Sequence, residues 1–337
     1  MAENDCHLTF GLIADVQYAD IEDGMNYAQT RKRYYRASLD LLQRAVTDWK
    51  TSHPNIAFVL QLGDLIDGWN RRGGGGQAAR SALEAALSPF RDLPCSTFHM
   101  FGNHDLYNFT KKQCLATDLN SGALAEAEGV EGCLYYSVVV HPRLRVVVLD
   151  TYDVSVLGYS DATDHPNYKA AVSILDKQNP NEEKNSVRGL KGGSKHFVAY
   201  NGGLSTQQLS WLDSQLKDAE QKSQNVVICG HVQLMPSPSD GVCAVWNYQE
   251  ALSVIHSYQC VVACFAGHDH DGSDTVDSAG IHHFVLNGVI ETPSDTDAYA
   301  TAFLRDTVLE IRGVGTIPNL TVPLTYHVGT SEVNGLC

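Results

Sequence analysis

Five short apolar runs in this chain stop abruptly at residues whose side chains bind cations or move protons. Leu8 to Ala14 runs into Asp15-Val16-Gln17, and Ile56 to Leu62 into Gly63-Asp64. Ser96 to Phe101 runs into Gly102-Asn103-His104-Asp105, Asn225 to Cys229 into Gly230-His231, and Cys260 to Ala266 into Gly267-His268-Asp269-His270. Runs this short and this apolar read as strands covered on both faces. Helix-patterned segments lie between them, so the expected class is α/β, with function gathered where strands end. The five loops should therefore meet in space. Taken singly each is weak evidence, because Asn and Asp also populate ordinary turns and a lone Gly-His is more often a packed turn than a ligand.

The inventory at those ends is Asp15 and Gln17, Asp64, Asn103 and His104, His231, and His268 and His270. It mixes carboxylates, amide oxygens and imidazoles and contains no Cys. Such a set suits Mn²⁺, Fe or Zn²⁺ better than Ca²⁺, and it holds donors enough for two ions. A pair of ions bridged by Asp64 would clamp a phosphoryl group and activate water. Asp105 offers an anion able to fix the tautomer of the neighbouring His.

The chain between the motifs is ordinary. Helical spacing predicts helices from about Thr30 to Lys50, from Ala78 to Leu87, from Ser205 as N-cap through Leu209, Leu212 and Leu216, and from Trp246 through Ile255. Leu134 to Val140 and Leu144 to Leu149 predict a hairpin around His141-Pro142, and short strands follow Ile281. Residues 109–132 are polar and helical in pattern, and the stretch from about 155 to 200 lacks periodicity and reads as a long loop or insertion. The run from Arg72 to Gln77 reads as a surface loop, since it lacks the Lys-Ser/Thr of a phosphate-binding P-loop. With no repeat and no linker, residues 1–337 are read as one domain.

Charge and cysteine usage narrow the partners. With 24 Lys and Arg against 39 Asp and Glu, the net charge is −15. Nucleic acid and anionic membranes are thereby poor partners, and an anionic substrate needs metal ions or a few basic residues to hold it. The nine cysteines follow no framework spacing, and several sit inside apolar runs, so we read them as reduced. Met1 to Asp5 is acidic and polar without a secretory pattern, and no apolar run reaches the ~18 residues of a membrane span. The expectation is a cytoplasmic or nuclear protein, a monomer by default, acting on a small molecule.

In their order, Asp-x-Gln, Gly-Asp, Gly-Asn-His-Asp, Gly-His and Gly-His-x-His resemble the five signature blocks of calcineurin-like metallophosphoesterases. The resemblance implies a two-sheet α/β/β/α sandwich flanked by helices. It also implies one metal on Asp15, Gln17, Asp64 and His270, a second on Asp64, Asn103, His231 and His268, and His104 as the catalytic imidazole that protonates the leaving oxygen. The chain departs from the pattern at Gln17, where the family's first block normally carries His. The stretch from Phe10 to Asp20, with Arg33-Tyr34-Tyr35-Arg36 and Trp246-Asn247-Tyr248, is similar to one branch, the manganese-dependent ADP-ribose/CDP-alcohol diphosphatases. That likeness implies hydrolysis of the phosphoanhydride in nucleoside diphosphate compounds, with Mn²⁺ ahead of Mg²⁺, Zn²⁺ or Fe. A phosphodiesterase or phosphatase on the same metals, or a non-catalytic metal-binding scaffold, are the competing readings. Tyr18, Tyr27 and Trp246 are candidates to stack on a base, with core packing as the alternative role.

Overall fold

The structure, a computed structural model, describes residues 6–72, 76–121, 128–129, 133–236 and 241–329. The start of the chain, most of the 109–132 stretch after Ser121, the glycines at 73–75 and Cys337 lie outside the described residues. Two mixed sheets carry the fold. In the first, the parallel strands β1 (Leu8–Ile13), β4 (Phe58–Gln61) and β5 (Ser96–His99) lie side by side, with the antiparallel β13 (Ala298–Leu304), β14 (Val308–Gly315) and β15 (Leu320–Pro323) beyond β1. In the second, β8 (Leu144–Val148), β9 (Asn225–Cys229), β10 (Val261–Ala266) and β12 (His282–Val285) are parallel. This sheet is edged by β11 (Ser273–Val276) on one side and by β7 (Tyr136–His141) and β6 (Glu128–Gly129) on the other. A small hairpin pairs β2 (Gly24–Met25) with β3 (Lys32–Arg33).

Four of the five predicted strands, β1, β4, β9 and β10, are largely buried in the interior of the two sheets, while β5 forms an edge of the first. One continuous apolar core runs through both, from Phe10, Leu12 and Leu60 to Val227, Ile228 and Phe265. Helices cover the outside. The helix α1 (Ala37–Ser52) packs Trp49 on the first sheet, where its Nε1–H donates to Thr301 Oγ1 (3.2 Å) and its ring meets Tyr299 edge-on at 5.4 Å. Further along the chain come α2 (Gln77–Leu87), α3 (Asn103–Asn108), α4 (Lys111–Leu115) and α5 (Pro166–Gln178), then α6 (Thr206–Gln221) and α7 (Tyr248–Ile255). Ser205 caps α6 by accepting the Gln208 N–H (3.1 Å), as its sequence position predicts. Among the described residues, no helix is long and apolar enough to cross a membrane.

Two expectations need correction. The first long helix begins at Ala37 rather than near Thr30, because Lys32 and Arg33 pair with Gly24 and Met25 instead. Arg33 is held there by Glu291 (3.4 Å) and Asp67 (3.5 Å), an arrangement a helical turn could not offer. The 155–200 stretch is not structureless: it contains α5, which buries Ala171 and Leu175 against Trp246. With only those two residues buried on α5, its periodic signal is weak.

Candidate active site

The parallel strands of both sheets point their carboxyl ends at one place. Asp15 and Gln17 leave β1, Asp64 leaves β4, and Asn103 and His104 follow β5, while His231 follows β9 and His268 and His270 follow β10. Backbone bonds stitch these exits together: Asp15 N–H donates to Gly63 O (3.2 Å), Gln17 N–H to Asp64 O (2.9 Å), and Gly267 N–H to His231 O (3.1 Å). All eight residues expected at the site are thus delivered by neighbouring strand ends.

The backbone there is strained. Asp15, Gln17, Asp64 and His268 have φ of 54°, 44°, 54° and 70°, in the left-handed region. Among the described residues only Gln29 and Ser223 are other non-glycine examples. Each such residue costs roughly 1–3 kcal/mol and persists only where its surroundings over-determine it. The cost is met by packing side chains from different strands into one spot. A Cβ at Gly102 would overlap Asp64 Oδ1, and one at Gly63, itself at φ 97°, would overlap His231 Nδ1. Those two glycines are required by ligand-type side chains arriving from other strands.

Asp64 is the centre of the arrangement. Its Oδ1 accepts the His104 backbone N–H (2.7 Å), its Oδ2 accepts Gln17 Nε2–H (3.0 Å), and the same Oδ2 lies 3.4 Å from His231 Nε2. Asp15 Oδ2 accepts the His268 N–H (3.0 Å), and Asp15 Oδ1 sits 3.3 Å from His270 Nε2 and 3.9 Å from His231 Nε2. Asp15, Asp64 and His231 each bring a ligand atom to within 4.8 Å of one another. Three atoms of this cluster, Asp15 Oδ1, Gln17 Oε1 and His231 Nε2, are buried without a hydrogen-bond partner. Leaving such atoms unpaired costs ~1–3 kcal/mol each, so the donor set fits cations as the missing partners. Gln17 turns its amide nitrogen, not its oxygen, toward Asp64 and toward His270 Nε2 (3.0 Å). A half-turn of the amide exchanges the two atoms and offers the oxygen.

Each imidazole is anchored from behind. His231 Nδ1 meets Leu62 O (2.8 Å), His270 Nδ1 meets Glu291 Oε1 (2.9 Å), and His268 Nε2 meets Asn201 Oδ1 (2.8 Å). An acceptor on the outer nitrogen keeps one proton there, so that when the ring gives up its other proton the inner nitrogen's lone pair faces the cluster. Asn201 is itself fixed, donating to His196 O (2.9 Å) and Val242 O (2.8 Å), and Tyr152 O–H donates to Asn103 Oδ1 (3.1 Å). Glu291, Asn201 and Tyr152 stand far from the motifs in sequence, and no local pattern marks them.

The carboxylate beside His104 is Asp67, whose Oδ2 lies 2.9 Å from Nδ1. Asp105 is occupied elsewhere: it accepts the backbone N–H groups of Leu65 (3.0 Å), Ile66 (3.2 Å) and Gly102 (3.0 Å), fixing the loop that carries Asp64. Burial would raise the Asp67 carboxyl, but His104 and Arg33 beside it hold it below its usual range. Of the aromatic candidates, Tyr18 is half-buried on the loop after β1 and Tyr27 is 86% exposed at the hairpin tip. Trp246 is buried against Val154, Ala171 and Leu175 and donates Nε1–H to Val198 O (3.2 Å), which leaves it no open face for a base.

A two-sheet sandwich with Asp, Asn, Gln and His side chains at the converging strand ends defines a class, and comparison agrees: the model for the calcineurin-like phosphoesterase family matches residues 5–272. The chain belongs to that family. It is 41% identical over 318 residues to the human protein named manganese-dependent ADP-ribose/CDP-alcohol diphosphatase, covering 92% of this chain and 91% of that one. The Arabidopsis thaliana protein of the same name is 40% identical over 305 residues, covering 90% and 93%. A solved structure described as a dimetal phosphatase from Danio rerio superposes with a TM-score of 0.89 at 40% identity, covering 95% of this chain and all of that one. The chain therefore stands within the branch that carries the diphosphatase name.

Proton competition at this cluster is measurable. Burial pulls His231 and His270 down, but Asp64 beside the first and Asp15 beside the second push both up to about 9, whereas burial and the charge of His231 hold His268 well below its usual value. A cation entering the metal-free protein must displace the first two protons. Divalent-cation affinity should therefore rise with pH from 6.5 to about 9 and level off above it, as read by calorimetric titration with Mn²⁺. An affinity that stays flat across that window would show that His231 and His270 are not displaced.

Proposed function

We propose that the chain hydrolyses the phosphoanhydride of nucleoside diphosphate compounds, converting ADP-ribose to AMP and ribose 5-phosphate, and CDP-choline-type CDP-alcohols to CMP and a phosphoalcohol. The observation that carries this reading is the buried cluster centred on Asp64, in a chain about 40% identical over nine-tenths of its length to proteins named for that reaction. Asp15, Gln17, Asp64 and His270 would hold one divalent cation, and Asp64, Asn103, His231 and His268 the other, with Mn²⁺ the first expectation. Bound there, the cations would supply Lewis-acid polarisation of the phosphoryl oxygens.

The chain's own residues do the rest. Water adds to one phosphorus, the anhydride P–O bond breaks, and the departing oxygen takes a proton. His104 is the group placed to give that proton: its side chain is 16% exposed, at the open edge of the cluster, while its backbone N–H is tied to Asp64. Gly68 N–H and the Asp67 carboxylate, both against Nδ1, fix the orientation of the ring. Because His104 is bound to Asp64 through the main chain, its side chain can be removed without breaking that hydrogen bond. His104→Ala should leave the metal content near that of the wild type and lower the rate on ADP-ribose by ~10²–10⁴. Asp64→Ala should abolish turnover at every Mn²⁺ concentration. Parallel loss of metal in His104→Ala, or near-normal turnover in Asp64→Ala at saturating Mn²⁺, would contradict these roles.

Gln17 is the second point of test. An amide oxygen is a weaker ligand than imidazole for borderline metals, whereas Mn²⁺ accepts oxygen donors readily. Activity of the wild type should depend on added metal, Mn²⁺ above Mg²⁺, and Gln17→His should shift the Mn²⁺ titration to lower concentration. Superposable titrations for the two proteins would remove Gln17 from the ligand set.

A further inference from the structure

The cluster and His104 account for the phosphorus that is attacked, but the substrate has a second half. Beside His104 lies the short turn Gly68–Arg72. Gly68 N–H donates to His104 Nδ1 (3.1 Å), and Trp69 N–H donates to Asp67 Oδ1 (2.8 Å), the other oxygen of the carboxylate that faces His104. A Cβ at Gly68 would come within 2.8 Å of Tyr107 Cδ2, so the turn is seated directly on α3. The turn is therefore fixed by one main-chain atom to the His104 imidazole and by a second to the carboxylate beside it.

Asn70 is buried and donates to Tyr18 O (2.8 Å) and Asp67 O (2.9 Å), whereas Trp69, Arg71 and Arg72 are exposed. Trp69 is 46% exposed, with the Arg72 guanidinium 3.7 Å from its ring centroid. Arg71 lies 6.0 Å from the centroid of Tyr107, whose ring stands 5.3 Å from that of His104. Several other arginines of this half are paired, Arg31 with Asp271, Arg36 with Asp20 and Glu22, Arg44 with Asp297, and Arg91 with Glu84 and Asp118, while Arg80 on α2 makes no ion pair with a described carboxylate. Neither Arg71 nor Arg72 makes an ion pair with a described carboxylate, in a chain of net charge −15. Two unpaired guanidinium groups and an exposed indole, next to the imidazole that serves the departing oxygen, suit a small organic phosphate.

Given the hydrolysis proposed above, we propose that the turn Gly68–Arg72 is the subsite for the departing half of the substrate. Arg71 and Arg72 hold the departing phosphate, a phosphomonoester once the anhydride bond has broken, and the Trp69 indole takes the sugar or alcohol joined to it. The water oxygen bonds to the other phosphorus beside the Asp64 cluster, whose cations would polarise the phosphoryl oxygens, the anhydride P–O bond breaks, and the departing oxygen receives its proton from His104 within reach of both arginines.

The test compares kcat/KM for ADP-ribose with kcat/KM for bis(4-nitrophenyl) phosphate, a diester with no second phosphate. Arg71→Gln and Arg72→Gln should each lower the ratio of the two by about tenfold, the range of one charge-assisted hydrogen bond. Arg72→Lys should recover part of the loss, because it keeps the charge and loses the planar fork. Competitive inhibition by one product, ribose 5-phosphate or AMP, should weaken in step, and the product affected identifies the departing half. A wild type that cleaves ADP-ribose, with a ratio and product inhibition the variants do not change, overturns the subsite alone. A wild type that cleaves the diester but no nucleoside diphosphate compound overturns the proposed reaction and the subsite with it.

Discussion

One carboxylate ties this site together. Asp64 leaves a strand of the first sheet, accepts a main-chain N–H from the loop after β5 and a side-chain N–H from the loop after β1, and faces an imidazole from the second sheet. It is buried, so its charge is compensated by what surrounds it: burial alone would raise its pKa, and His231 and His104 hold it below the usual carboxylate range. The left-handed backbone at Asp15, Gln17, Asp64 and His268 follows from the same demand. Three strand ends must turn sharply enough to bring these four side chains to one point, and residues other than glycine accept that conformation because those side chains are needed there.

Much of this is legible in the sequence because apolar strands that end in polar residues are a local signal. The strand from Asn225 to Cys229 is found with the bounds expected, and the residues its motifs display are brought together at one place. What stays hidden is whatever acts across sequence distance. Glu291 lies beyond the last motif and reads as an ordinary acidic residue, yet it orients His270. Asn201 follows a stretch without periodicity and orients His268. Lys32 and Arg33 carry helix-compatible residues, but tertiary pairing with Asp67 and Glu291 takes Arg33 into a hairpin. The choice of Asp67 over Asp105 as the partner of His104 is likewise geometric, since Asp105 is spent on three backbone N–H groups.

The anchoring groups also explain how an acidic chain can present a site for an anion. Acceptors behind His231, His268 and His270 fix the ring orientations, so the inward nitrogens are set before any ligand arrives. In the proposed reaction, the positive charge a phosphate needs would come from cations held by this cluster and from Arg71 and Arg72 at its edge.

The central claim is that the residues at these strand ends hold two cations that share Asp64. Crystals soaked in Mn²⁺ and measured for anomalous scattering at the manganese edge test it most directly. The account predicts two peaks, one against Asp15, Gln17 and His270, the other against Asn103, His231 and His268, and both in contact with Asp64. A single peak, or peaks that leave Asp64 without a metal contact, would contradict it.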